Sequence, residues 1–204
     1  MMSDPTSPSP PRRLGCIILA AGPSSRMGTP KQLIEFRGAP LVVHAVQAAL
    51  EAPVWPVIVV LGAHAERIRP VLAKLPVLAV ENPAWPEGMA SSIRCGIASL
   101  GEFSRDLDGG VLALCDQPAF SAEAIRRLLR AQHETGLGIA AARYSGRNGA
   151  PALFSREYFP ELLSLTGETG ARTLLNRSPD LVASVEMPEL ELDLDTPADC
   201  ERLR

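Results

Sequence analysis

The sequence predicts an α/β fold, a doubly wound and mainly parallel sheet in a single domain. Near-continuous apolar runs such as Val57-Ile58-Val59-Val60-Leu61 and Val111-Leu112-Ala113-Leu114-Cys115 suit strands buried on both faces. These runs alternate with segments of helical periodicity, the pattern of a sheet wound with crossover helices. The length of 204 residues suits one domain, and 46% hydrophobic content suffices for a sizeable core.

Strands are expected over Leu14–Ala20, Pro56–Leu61, Val77–Glu81, Gly110–Leu114, Ile139–Tyr144, Pro151–Phe154 and Leu181–Met187. Helices are expected over Pro40–Glu51, Ala63–Lys74, Met89–Leu100, Ser121–Glu134, Arg156–Leu163, Gly170–Arg177 and Pro197–Leu203. Ser121 is a suitable N-cap, with Glu123 in the first turn facing the positive end of the helix dipole. Pro197 after Thr196 suits a first helical position, where its missing N–H costs nothing. The stretch around Gly146 to Gly149 reads as a flexible turn between late strands. Residues 1–13, rich in Pro and Ser and without an apolar face, read as a disordered tail. Residues 14–204 form the domain.

Composition removes several function classes. A net charge of −3 and a pI near 5.7 argue against a general nucleic-acid or membrane-surface binder. Aromatic content of 4% argues against base-stacking platforms. Cys16, Cys95, Cys115 and Cys200 are far apart and form no Cys/His cluster, which argues against a zinc site. They read as reduced thiols in a cytoplasmic protein, with Cys16 and Cys115 in the core. Arg12-Arg13 followed by an apolar run imitates a secretory leader. That run is short, however, and leads into a glycine loop rather than a new N-terminus. No stretch is long enough to span a membrane.

Chemistry concentrates at the ends of the expected strands, where open α/β sheets bind ligands. Leu19 to Lys31 reads LAAGPSSRMGTPK: an apolar strand empties into a small-residue loop that carries Arg26 and Lys31. Such a loop brings backbone N–H groups up to a polyphosphate, and its two cations match charge developing in phosphoryl transfer. The Walker ending is absent, because Gly28 is followed by Thr29-Pro30. The dinucleotide fingerprint is absent too, because Gly22 has no glycine two residues later. Asp116 ends the VLALC strand, and Pro118 stops its continuation; a carboxylate there can hold Mg²⁺ together with substrate phosphates. Asp193 and Asp195, two apart in an extended segment, project to one side and are costly together without a cation. Glu81 to Ser92 is a strand–loop–helix passage through Trp85 and Gly88, with Ser91 and Ser92 near the helix start. Each segment also has a simpler reading: a turn with two stray cations, an Asp bonding its own turn, a helix cap, a packed Trp85. His44, His64 and His133 read as structural or solvent-exposed.

Taken in order along the chain, these segments resemble the nucleotidyltransferases with the MobA/MocA-like NTP-transferase domain. The first loop resembles L-A-A-G-x-S-x-R-M-G-x-x-K, with Pro23 a mild departure. LCDQP is close to the metal-binding D-x-P segment of the MocA-like form. The passage from Asn82 through Trp85, Gly88-Met89 and Ser92 is similar to a segment beside the nucleotide base. Asn148 to Phe154 and Gly167 to Arg172 look like the acceptor-side G-x-P-x-x-F and G-D-x-G-A-R segments, with Glu168 where the family usually has Asp. Asp193 to Asp199 is similar to the family's D-x-D-T-P-x-D ending. The likeness runs from Gly15 to Leu203.

The resemblance implies the nucleotide-diphospho-sugar transferase variant of the Rossmann-like fold and a Mg²⁺-dependent enzyme. It assigns Arg26, Lys31 and Asp116 to catalysis. Nucleotide binding falls to Leu19, Ala20, Ala21, Gly22, Arg26, Lys31, Gly88, Ser91 and Ser92, and metal binding to Asp116 with Asp193 or Asp195. LAAG, rather than the L-x-G-G of guanylyl-transferring relatives, implies transfer of CMP from CTP. The implied acceptor is the phosphate of a molybdopterin-type cofactor, and the implied partner is a molybdoenzyme or its chaperone. Three alternatives stay open: another NTP or a sugar or alcohol phosphate, an NAD(P)H-dependent reductase on the same fold, and a non-catalytic nucleotide-binding delivery protein.

Overall fold

The computed structural model describes residues 13–24 and 28–192. In chain order the elements are β1 (Leu14–Ala20), β2 (Glu35–Phe36), β3 (Ala39–Pro40), α1 (Leu41–Leu50), β4 (Val57–Leu61), α2 (Ala65–Leu72), β5 (Leu78–Glu81), α3 (Met89–Phe103), β6 (Gly109–Leu114), α4 (Ala122–Thr135), β7 (Ile139–Tyr144), β8 (Arg147–Ser155), α5 (Phe159–Leu163), α6 (Arg172–Leu175) and β9 (Val182–Glu186). Short 3-10 turns occupy Lys31–Leu33, Trp85–Glu87, Arg156–Tyr158, Pro179–Leu181 and Pro188–Leu190. No helix among the described residues is long and apolar enough to cross a membrane.

A seven-stranded sheet has the order β5-β4-β1-β6-β8-β7-β9. β1 pairs in parallel with β4 and with β6, and β4 with β5. β8 is antiparallel to β6 and to β7, and β9 is parallel to β7. Within this sheet β8 therefore runs against the other strands, and the sheet is mainly parallel, as the apolar runs imply. β2 and β3 form a separate small hairpin.

Alternate residues of each strand feed two cores, because successive side chains point to opposite faces. Ile18 and Val59 pack with Val46, Ile125 and Leu128 from α1 and α4. Ile17 and Val60 pack with Ile93 and Ile97 of α3 and with Leu174 of α6. Every residue of β4 is fully buried. Full burial of one such side chain stabilises by about 1.5–3 kcal/mol. This explains why β4 reads as an unbroken apolar run rather than an alternating one.

The structure departs from the sequence expectation at the last third of the chain. β8 begins at Arg147 rather than Pro151. Ser145 (φ 49°) and Gly146 (φ 73°) form a tight two-residue connection with both residues left-handed, so this passage is a hairpin and not a flexible turn. The β7–β8 register jumps from Ala141↔Ala152 to Ala142↔Gly149. Ala150 and Pro151 bulge out of the ladder, at a residue that has no N–H to give. That break hides the first half of β8 in the sequence. Helix α6 is shorter than expected, because Gly170 takes φ +57°, outside the helical region. The expected helix Pro197–Leu203 and Cys200 lie outside the described residues.

Candidate active site

The topology reverses direction at β1. From β1 the chain goes to one side, through α1 to β4, and later returns on the other side as β6. The crevice at such a switch point lies outside the carboxyl ends of the strands. A cavity of about 430 Å³ occupies it. Leu19, Ala20, Ala21 and Gly22 from the end of β1 line it, as do Leu114, Cys115 and Asp116 from the end of β6. Lys31, Gly88 and Ser92 line it as well. Residues far apart in sequence thus meet in one place.

The motif loop is held open by its own side chains. Gln32, buried, donates through Nε2 to the carbonyls of Ala20 (3.1 Å) and Gly22 (2.9 Å). Ser24 Oγ donates to Gln32 Oε1 (3.3 Å) and accepts from the Lys31 N–H (2.9 Å). The His64 ring donates through Nε2 to the carbonyl of Pro23 (2.9 Å), fastening the loop to the β4–α2 turn. Among the described residues no atom lies within 4 Å of where a Cβ on Gly22 would stand. Arg26 lies outside the described residues.

Lys31 and Asp116 meet across the cavity floor, Nζ donating to Oδ2 in an ion pair. Asp116 is 8% exposed. A charge so far from water needs a counter-charge, and the pair supplies one to each group. Next to it, Gln117 Nε2 donates to Tyr144 Oη and to the carbonyl of Leu190, both at 3.1 Å. These bonds bring the chain at Leu190 beside the end of β6. Asp193 and Asp195, which follow, lie outside the described residues.

The donor set suits a hard divalent cation that takes most of its ligands from elsewhere. Among the described residues no three His, Cys, Asp or Glu side chains cluster as a metal cage. Asp116 presents one hard oxygen ligand to the cavity. Mg²⁺ is commonly held by one or two carboxylates plus substrate phosphates, and Asp116 suits an ion that arrives with a nucleotide.

The far wall comes from the β5–α3 passage. Gly88 takes φ +103°, a conformation open to glycine and costly for other residues. A Cβ there would also lie 2.8 Å from Glu168 Cδ and 2.8 Å from the Gly167 carbonyl oxygen. Gly62 is needed in the same way: a Cβ would come within 2.6 Å of the Ala21 carbonyl oxygen and 2.8 Å of Trp85 Cβ. Trp85 thereby stands over the end of β1, half-buried and lining the cavity.

Ser91 and Ser92 do not stand as equals. Asn82 Nδ2 donates to Ser91 Oγ (2.9 Å) and Ser92 Oγ (3.1 Å), and Ser91 Oγ donates to the Gly88 carbonyl (2.9 Å). Ser92 lines the cavity, whereas Ser91 is turned into this buried network and is not part of the wall. Glu168, placed with the acceptor side by resemblance, joins the wall beside Gly88.

Cys16 and Cys115 are buried, as their apolar runs imply. Burial pushes the Cys16 thiol up to about 12. Cys115, at the cavity edge, is also pushed up, first by burial and then by the Asp116 charge. Neither supplies a thiolate nucleophile near neutral pH. Sequence reasoning did not single out Gln32 or Ser24 individually, although both sit within or next to the motif loop. The signal was a short polar side chain and an amide flanking a phosphate-loop lysine, the means by which a tight loop satisfies its own carbonyls.

Comparison with known proteins places the chain in a family. The family model described as MobA-like NTP transferase domain matches residues 16–182. The nicotine blue oxidoreductase of Paenarthrobacter nicotinovorans is 33% identical, covering 92% of this chain and 94% of that protein. The molybdenum cofactor cytidylyltransferase of Escherichia coli is 24% identical, covering 91% and 93%. The crystal structure of Rv0371c from Mycobacterium tuberculosis is 31% identical with a TM-score of 0.79, covering 95% of this chain and 98% of that one. A further structure of that protein is a complex with manganese, at 28% identity and a TM-score of 0.76, covering 94% and 97%.

Proposed function

This chain belongs to the MobA-like NTP transferase family, a family of nucleotidyltransferases, and we propose that it transfers a CMP group from CTP to the phosphate of a molybdopterin-type cofactor. The single observation that carries the transferase reading is the cavity itself. It gathers the LAAG backbone, Lys31, Asp116, Gly88 and Ser92 around one space. A cytoplasmic setting, with a molybdoenzyme or its chaperone as the receiving partner, belongs to the same proposal.

In this reading an oxygen of the acceptor phosphate attacks the α-phosphorus of CTP. One P–O bond forms, the bond to the β-phosphate breaks, and pyrophosphate leaves in line. No covalent enzyme intermediate is required, since phosphoryl transfer is mostly positioning and charge neutralisation. Gly22 and its neighbours approach the phosphates through backbone N–H groups. Lys31 moves its ammonium from Asp116 to phosphate oxygens, and Arg26 adds a second cation. Asp116, with Asp193 or Asp195, would hold Mg²⁺, which when bound supplies positive charge against the phosphates and the departing pyrophosphate.

The likeness to nicotine blue oxidoreductase supports a second reading, an NAD(P)H-dependent reductase on the same fold. The two make opposite demands on Asp116 and Lys31. Triphosphate chemistry uses a carboxylate and an ammonium at the floor, while hydride transfer has no need of that pair.

The cytidylyl assignment rests on LAAG and on the Gly88–Ser92 wall. Isothermal titration calorimetry with Mg²⁺ is expected to give tighter binding of CTP than of GTP. Equal affinity, or a preference for GTP, would remove the cytidylyl assignment and leave nucleotidyl transfer standing.

A further inference from the structure

Glu168 stands out within the cavity. It is exposed, and it has no hydrogen bond or ion pair to any described residue. The wall that carries it is nevertheless firmly placed. Ala90 N–H donates to the Gly167 carbonyl (3.1 Å). Arg94 clamps two segments at once, donating to the Leu165 carbonyl (2.6 Å) and to Glu87 Oε2 (2.7 Å). The Glu168 carboxyl carbon sits so close to Gly88 that a Cβ there would lie 2.8 Å away. A carboxylate with no partner among the described residues is thus held on the cavity wall beside Gly88.

Without a cation between them that carboxylate repels the phosphates, and the donors a nucleotide offers it are the ribose hydroxyls and the exocyclic amine of the base, of which only the amine differs between nucleotides. We propose that Glu168 reads the nucleobase, accepting a hydrogen bond from an exocyclic amine such as N4 of cytosine, and so selects CTP against UTP. This rests on the nucleotidyltransferase reading above and adds to it the residue that sets base choice. Cytosine offers an amine to a carboxylate, as in base recognition elsewhere. Uracil carries a carbonyl oxygen at the same ring position, and two acceptors facing each other leave both without a donor.

The test is calorimetric titration of the full chain with CTP, UTP and GTP, each with Mg²⁺, for the unaltered protein and for Glu168→Gln. The unaltered protein is expected to bind CTP about tenfold more tightly than UTP, the effect of one charge-assisted hydrogen bond. A glutamine amide both donates and accepts, so Glu168→Gln is expected to bring the two affinities together. Glu168 is exposed, and the substitution leaves the core untouched. A ratio of unity in the unaltered protein, or a ratio unchanged in the variant, overturns the proposal. If GTP binds best and loses its lead over UTP in the variant, Glu168 still reads an amine and the cytidylyl assignment falls instead. Absence of binding by all three nucleotides overturns both.

Discussion

Asp116→Ala is expected to abolish nucleotidyl transfer while the fold persists. Asp116 lies just past the buried strand β6 and faces the loop that leaves β1, so its carboxylate meets whatever the phosphates bring. Removing one ligand of a phosphate-bound cation costs several kcal/mol of transition-state stabilisation, about three orders of magnitude in rate. The substitution also strips the ion-pair partner shown by Lys31, and Asp116→Asn serves as a control that keeps volume while removing charge. Circular dichroism and the thermal midpoint check the fold; kcat at saturating Mg²⁺ checks the role. Near-unaltered turnover for either variant would take Asp116 out of the mechanism.

Lys31→Ala is expected to lower kcat far more than it weakens CTP binding. The backbone of Lys31 is fixed twice over, by Pro30 before it and by the bond from its N–H to Ser24 Oγ. Its side chain is engaged with Asp116, so contact with phosphate is made by exchange rather than by adding a free charge. In the bound nucleotide that exchange roughly breaks even. As pyrophosphate leaves, negative charge grows on the leaving oxygens and the contact strengthens, which places its effect on kcat. The expected loss is roughly 10²–10³ in kcat, the range for one group opposing developing charge. Lys31→Arg restores only part, because a planar guanidinium does not replace a compact ammonium at a fixed distance. A loss confined to KM would make Lys31 a phosphate-steering charge and nothing more.

The parallel half of the sheet was legible because burial on both faces writes itself as continuous apolar runs. Val57 to Leu61 is one, and the strand expected over Pro56–Leu61 is observed as β4 with only Pro56 left out. The late strands were less legible, because Gly149 and Pro151 interrupt the pattern where the ladder bulges. Gly22 and Asp116 were legible because each comes just after a strand, and Lys31 because it closes the motif loop; all three line the cavity. Ser91 shows the limit of such reading. Its position beside the loop was right, yet only the Asn82 network reveals that its hydroxyl is turned inward. The gathering of Glu168 beside Gly88 had no local signal, since it depends on how the chain between α5 and α6 lies against the start of α3.

The central claim is turnover of a nucleoside triphosphate, and release of pyrophosphate measures it directly. The protein is incubated with Mg²⁺ and each of the four NTPs, with and without molybdenum cofactor, alongside parallel samples in which NADH or NADPH oxidation is followed. Pyrophosphate released from CTP only when the acceptor is present is the predicted result. No pyrophosphate from any NTP, with oxidation of NADH or NADPH instead, would contradict it.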